Sequence, residues 1–163
     1  MSLSHHQIEV SRAAAAWQEA ALALAREERR IYLQGLTPAA GAFVLARLFQ
    51  KLRRSFLVIT PNTSAHEVFY KDLTFFSPER ESGGPEPWSR LLLFPAHEVL
   101  PFKELSFDSE VSCARVGAAY QALTSREPWM LVAPAAALRQ KLPPPERLQE
   151  ALVYVVAGET LER

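Results

Sequence analysis

Apolar and polar positions along this chain fall into two alternating kinds of stretch. Four short apolar runs, Ile31 to Gln34, Phe56 to Ile59, Arg90 to Phe94 and Trp129 to Ala133, are bounded by turn-forming residues. Their length and continuity are those of strands buried on both faces of a parallel sheet. Between them lie longer stretches whose apolar residues recur every three or four positions, the spacing of one helix face. Such alternation predicts an α/β fold, a mostly parallel sheet of at least four strands with helices on both faces.

The helices are placed by face and by cap. Gln7 to Glu28 is Ala-rich and reads as one long helix, with Trp17, Ala21, Leu24 and Glu28 on one side. Pro38 to Leu52 follows, burying Val44, Leu45, Leu48, Phe49 and Leu52, with Lys51, Arg53 and Arg54 suited to its negative end. Ser64 and Glu67 have capping-box spacing for a third helix, with Phe69, Leu73 and Phe76 inward, ending at Ser77-Pro78. The loop PERESGGPEPWS intervenes. Asp108 or Ser109 then caps a helix to about Leu123 with Val116, Ala119, Tyr120 and Leu123 buried, and Gly117 and Ala118 small enough for close approach. Pro134 opens a brief helix to about Leu142, Pro143 to Pro145 read as a stiff junction, and Ala151 to Val156 as a further strand. An apolar strand so near the end of the sequence leads us to expect a fragment of something longer.

The stretch Arg29 to Thr60 is a βαβ unit, and its turn stands where a phosphate-binding loop would. Such a loop has the form G-x-x-x-x-G-K-[ST], with backbone N–H groups around the phosphates, a Lys on the outer ones and a hydroxyl on Mg²⁺. Here the residues are Gly35, Leu36, Thr37, Pro38, Ala39, Ala40, Gly41 and Ala42. Ala40 stands for the second glycine, Gly41 for the cation and Ala42 for the hydroxyl, while Pro38 removes a donor. A helix start of this kind attracts anions weakly, but tight Mg·ATP binding is not expected. Spacing alone leaves two readings open: an ordinary strand-to-helix turn, or a phosphate loop that has lost its chemistry.

Charge and composition narrow the function classes further. Eighteen basic and eighteen acidic side chains cancel, so no surplus is visible for gripping a nucleic-acid backbone. No apolar run approaches the roughly 18 residues a membrane span needs, and MSLSHHQIEV lacks the form of a signal peptide. A single cysteine, Cys113, fits a cytoplasmic setting and is expected buried or half-buried and inert. His5 and His6 sit in a frayed polar start, and His66 with Glu67 on a first helical turn. Glu98, Asp108 and Glu110 are too few for an oxygen cage. Arg115 is expected to pair with Glu98 or Glu110. Neither catalytic residues nor a cofactor or metal set emerge.

Several segments together carry a resemblance. GLTPAAGAF, LVITPNTSAHEVFYKDLTFF, LLLFPAHEVLPFKELSFDSEVSCARVGAAYQAL and LVAPAAALRQKLPPP resemble, in content and order, the N-terminal region of the bacterial transcription-repair coupling factors. The most specific part is Phe94, Pro95, Glu98, Leu100, Pro101 and Phe102, followed by Arg115. That region is in turn similar to the first domain (1a) of the excision-repair protein UvrB. The resemblance implies a P-loop-helicase-like fold with a degenerate phosphate loop. It also departs from UvrB, because Pro95 to Ser109 is too short for the aromatic hairpin that UvrB inserts into DNA.

By this resemblance residues 1–28 form an N-terminal helix, 29–144 the UvrB-like domain, and 145–163 the start of the domain that follows. The implied role is non-catalytic: a scaffold for recruiting UvrA to stalled RNA polymerase. UvrA would be held mainly by the following domain, other domains of the same protein would pack against this one, and polymerase and DNA would be bound only downstream. A weak nucleotide-binding module and a DNA-binding domain of a repair helicase are the alternatives.

Overall fold

The strand Met130–Pro134 is buried at every residue, and the other elements are arranged about it. A computed structural model describes residues 5–9, 13–26, 30–76, 90–97 and 108–150. In chain order the elements are β1 (His5–Glu9), α1 (Ala13–Ala25), β2 (Arg30–Gln34), α2 (Pro38–Leu52), β3 (Phe56–Thr60), α3 (Thr63–Phe76), β4 (Leu91–Leu93), α4 (Ser109–Thr124), β5 (Met130–Pro134), α5 (Ala135–Leu138) and α6 (Pro145–Glu150).

Three strands form one sheet in the order β3-β5-β4, with Val58 and Leu93 each opposite Val132 in parallel register. The chain steps one way from β3 to β4 and back from β4 to β5, so right-handed crossovers send α3 and α4 to opposite faces. Side-chain packing agrees. Met130 and Val132 meet Ala42, Ala46, Val58 and Leu73 on the α2–α3 side. Leu131 and Ala133, alternating with them, meet Leu92, Phe94, Ala118 and Ala137 on the other. Helix α2 also carries Val44 and Leu48 into a third cluster with Ala20 of α1 and Ile31 and Leu33 of β2.

The architecture is α/β with parallel pairing and helices on both faces, but the expected continuous sheet is not what forms. β2 pairs with β1 in a separate two-stranded sheet, and β3, its partner in the βαβ unit, pairs among the described residues only with β5. Nor is β3 covered on both faces: Leu57 and Ile59 are 54% and 56% exposed, while α4 packs on β4 and joins the cluster of Leu92, Leu131 and Ala133. Its apolar run is that of a central strand, yet among the described residues it stands at an edge.

Other expectations shift for identifiable reasons. The single helix from Gln7 is replaced by β1 and a helix that starts at Ala13. Ile8 and Val10 are β-branched and alternate with polar neighbours, and β2 offers a strand to pair with, so His5 and His6 lie in a ladder and not in a frayed start. The cap of α3 is Asn62, whose Oδ1 accepts from Ala65 N at 2.8 Å, rather than Ser64. α4 buries Arg115 and Ala118 with Ala119 and Ala122 packed beside them, while Leu123 is 48% exposed and Gly117 faces open space. Helix α5 stops at Leu138; just beyond it the Gln140 side chain accepts from His97 N and donates to His97 O, both at 2.9 Å. Pro145 does not merely interrupt the chain but opens α6, where its missing N–H costs nothing. The loop 78–89 and the strand expected at Ala151 to Val156 lie outside the described residues.

Two buried polar side chains tie the layers together. His66, 1% exposed, reaches from α3 to β5, where Nε2–H donates to the Val132 carbonyl at 3.0 Å. That carbonyl also accepts from Phe94 N at 2.9 Å, so one peptide oxygen joins α3, β5 and the end of β4. The proton on Nε2 leaves Nδ1 buried without a hydrogen-bond partner. Burial pushes the His66 pKa down from its ordinary value of 6.5, against the Val132 hydrogen bond and the charge of Glu67. Arg115, 2% exposed, makes no ion pair with Glu110; it donates Nη1 to the Pro95 carbonyl at 2.7 Å and stacks 4.3 Å from the Phe94 ring centroid. Those contacts help to hold a cation in the core, and the other expected partner, Glu98, lies outside the described residues.

Helix α2 ends on Arg53 in the left-handed region, φ 46° and ψ 47°, with its N–H returning to Phe49 O. A side chain there strains the backbone, so Arg53→Gly should raise unfolding free energy by about 0.5–1 kcal/mol in urea denaturation. His66 makes acid the weak side of this fold. With its pKa lowered in the native state, the unfolded chain binds more protons below 6.5, so the His66 contribution is complete above that pH and declines beneath it. His66→Gln can still donate to Val132 O but cannot titrate. The loss of denaturant midpoint between pH 7.5 and about 5.5 should therefore be smaller in the variant than in the parent.

Candidate functional site

Ligands of open parallel sheets bind at the carboxyl ends of the strands, so the turns leaving β2 and β3 are the places to look. After β2 the chain turns on Gly35, φ 75°, a conformation that glycine adopts without penalty. Two residues later Thr37 caps α2, its Oγ1 accepting from Ala40 N at 3.3 Å and its carbonyl from Gly41 N at 2.9 Å. Pro38 has no N–H to offer. Three of the donors a phosphate could use, at residues 38, 40 and 41, are therefore missing or taken up inside the turn. Asn62 does the same service for α3, accepting from Ala65 N and His66 N.

Between the two turns lies an open cleft of about 600 Å³, bounded by Leu36, Pro38, Val58, Ile59, Val68 and Phe69. Among the described residues no charged side chain lines it. The hydroxyls nearby are those of Thr37, Thr60 and Ser64, and Thr60 already donates to the Asn62 carbonyl at 3.3 Å. Over α2 the Phe69 ring leans onto Gly41, so closely that a Cβ there would meet Phe69 Cε2 at 3.6 Å. A methyl group fits at that distance, but the long side chain of a phosphate-binding Lys would have to pass the ring. This is an apolar crevice, suited to apolar surface and poorly suited to a triphosphate.

The remaining candidates are dispersed. His66 lies on the first turn of α3, as its position in the chain suggests, but faces the sheet and does not line the cleft. Asp108 caps α4, accepting from Glu110 N at 2.8 Å, while Glu98 lies outside the described residues. Among the described residues no group of His, Cys, Asp or Glu is arranged to hold a metal. Cys113 is exposed on α4, contrary to expectation, because the helix turns its Arg115–Ala118 side inward. His97 was not singled out by its sequence context. Its pKa is lowered by burial and by the nearby Arg115 charge, with Asp108 opposing, which places the three groups around the start of α4. The cleft itself escaped notice too; its signal was the pair of matched turns Gly35 to Pro38 and Thr60 to Asn62, each ending a strand and opening a helix.

No family model matches the chain, and no solved structure does. A curated relative, the transcription-repair-coupling factor of Myxococcus xanthus, is 31% identical over 138 residues, which is 85% of this chain. The same match covers 11% of the relative, so the chain spans about a tenth of the length of the protein it is similar to. Across most of its residues, then, this chain is a homologue of the transcription-repair coupling factor, matching a fragment of that much longer protein.

Proposed function

We propose that this stretch is a non-catalytic, UvrB-like domain serving transcription-coupled DNA repair, a scaffold through which a coupling factor brings UvrA to a stalled RNA polymerase. Its place in repair rests on the relative, whose name couples transcription to repair. Its silence as an ATPase rests on one observation: the crevice where a nucleotide would lie is apolar and uncharged, and its turn spends its own donors. On this reading the fold is that of a P-loop helicase domain whose phosphate loop, Gly35 to Ala42, has degenerated around an intact strand–turn–helix frame.

The scaffold offers UvrA its surface mainly through the residues beyond Pro145, and packs against other domains of the same polypeptide. Polymerase and DNA are handled by those other domains. Among the described residues no helix is long and apolar enough to cross a membrane, and the setting proposed is the cytoplasm, where repair and transcription meet.

Calorimetric titration with Mg·ATP should give no heat of binding; saturable micromolar binding would reverse the reading in favour of a nucleotide-sensing module. Restoring Ala40→Gly, Gly41→Lys and Ala42→Thr together should yield no hydrolysis, since Phe69 overlies position 41 and, among the described residues, no carboxylate lines the cleft to order Mg²⁺. In a pull-down with UvrA, residues 1–163 should bind weakly and a longer piece of the same protein, carried through the next two domains, firmly. Equal retention of both would move the UvrA surface onto this domain, and retention of neither would remove the recruiting role.

A further inference from the structure

The amino ends of the strands carry a concentration of cations. Helices α2, α3 and α4 run back over the sheet to join parallel strands, so their last turns share one pole with the starts of β3, β4 and β5. Hydrogen bonds level these starts: Phe56 N donates to Trp129 O at 2.8 Å, Trp129 N to Ser55 Oγ at 3.3 Å and Met130 N to Arg90 O at 2.7 Å. β2 begins at the same pole, since Leu52 at the end of α2 packs in one cluster with Ile31. Arg30, Lys51, Arg53, Arg54 and Arg126 all stand exposed there, and among the described residues none of them makes an ion pair. Arg90 differs, lying 3.6 Å from Glu127. A helix C-terminus carries only about half a negative charge, so the ends of α2, α3 and α4 account for one or two of these cations. Arg53 is the least expected of them. It holds the left-handed position after α2, φ 46°, where glycine carries no strain, yet among the described residues its side chain makes no hydrogen bond, ion pair or ring contact. Strain kept at a side chain the fold does not use points to a task outside the fold.

We propose that this pole docks an acidic segment of a separate protein, its carboxylates meeting Lys51, Arg53, Arg54 and Arg126 and an apolar side chain meeting Leu123. Guanidinium groups take carboxylates two bonds at a time, and Leu123, 48% exposed in the last turn of α4, stands three residues before Arg126. A nucleic-acid backbone is the poorer occupant. The segments 27–29 and 77–89, whose ends lie at the same pole, bring Glu27, Glu28, Glu79, Glu81 and Glu86 against Arg29 and Arg80, and the chain as a whole is neutral. The field that would draw in and hold a row of phosphates is therefore weak, whereas a few carboxylates held by direct contact need no such field. Exposed ion pairs are each worth little and the apolar area is small, so the contact forms and breaks readily. That suits a partner that comes and goes better than a domain packed permanently on this one. In the proposed function UvrA is held mainly beyond Pro145, so the pole stands or falls independently of it.

The test uses the intact natural protein and, as probe, a fluorescent peptide of glutamate pairs alternating with leucine. Anisotropy should show saturable binding; its absence overturns the proposal. Arg53→Gly relieves backbone strain and keeps the protein folded, yet should weaken the peptide about threefold, and its combination with Arg54→Ser and Arg126→Ser about tenfold or more. Unchanged affinity in these variants overturns the proposal, and so does an equal loss in Arg139→Ser, which lies beyond the carboxyl end of β5. In a second arm, a carbodiimide joins carboxylates to amines in contact and the products are mapped by mass spectrometry. Coupling of Lys51 Nζ to the peptide supports the docking. Coupling of Lys51 to carboxylates of its own polypeptide, residues 77–89 included, or no coupling at Lys51, overturns it. A DNA duplex that displaces the peptide from Lys51 at physiological salt assigns the pole to nucleic acid instead.

Discussion

The structure depends on one strand that nothing can replace from the surface. β5 is hydrogen-bonded on both edges and packed on both faces, with Met130 and Val132 against α2 and α3 and Leu131 and Ala133 against α4 and α5. Each pair of its side chains belongs to a different cluster, so the two halves of the core communicate only through its backbone. The Val132 carbonyl concentrates this, accepting from Phe94 N along the sheet and from His66 above it. Fixing α3 to the sheet by a buried imidazole fixes the rest of its first turn as well. Asn62, Ser64 and Ala65 follow, and with them one wall of the cleft.

The cleft then takes its character from capping. In a parallel sheet the strand ends carry helix N-termini, and free N–H groups there give such folds their affinity for phosphate. At the turn after β2 Thr37 and Pro38 leave little of that affinity, and Asn62 removes much of it after β3. Phe69 and Val68 complete the change by presenting carbon where a nucleotide-binding site presents charge. The strand–turn–helix frame here carries an apolar surface.

Arg115 shows how a buried cation is held by an aromatic face and a backbone carbonyl. Phe94 offers its ring and Pro95 its carbonyl, both from the end of β4. The contacts join α4 to the end of β4 and bring His97 and Asp108 into the same neighbourhood, and Gln140 closes the group by bonding both backbone groups of His97. Three segments distant in sequence thus meet at the carboxyl end of β4, with Arg115 and Gln140 each touching its backbone or a ring.

Local physics was enough to write much of this fold in the chain. Continuous apolar runs marked β2, β3, β4 and β5, and three-to-four-residue spacing marked α2 and α3 with Leu73 inward, because period and turn chemistry depend only on near neighbours. The missing cation and hydroxyl at Gly41 and Ala42 were equally plain. Pairing was not legible. That His5–Glu9 would join β2, that β3 would stand at an edge with Leu57 and Ile59 bare, and that α4 would turn Arg115 inward were all decided by contacts between residues far apart. The sequence could set what each segment is, since that is a property of its own residues; which edges meet and which faces stay open belongs to the whole assembly, where the burial gained by every pairing competes with that of every other.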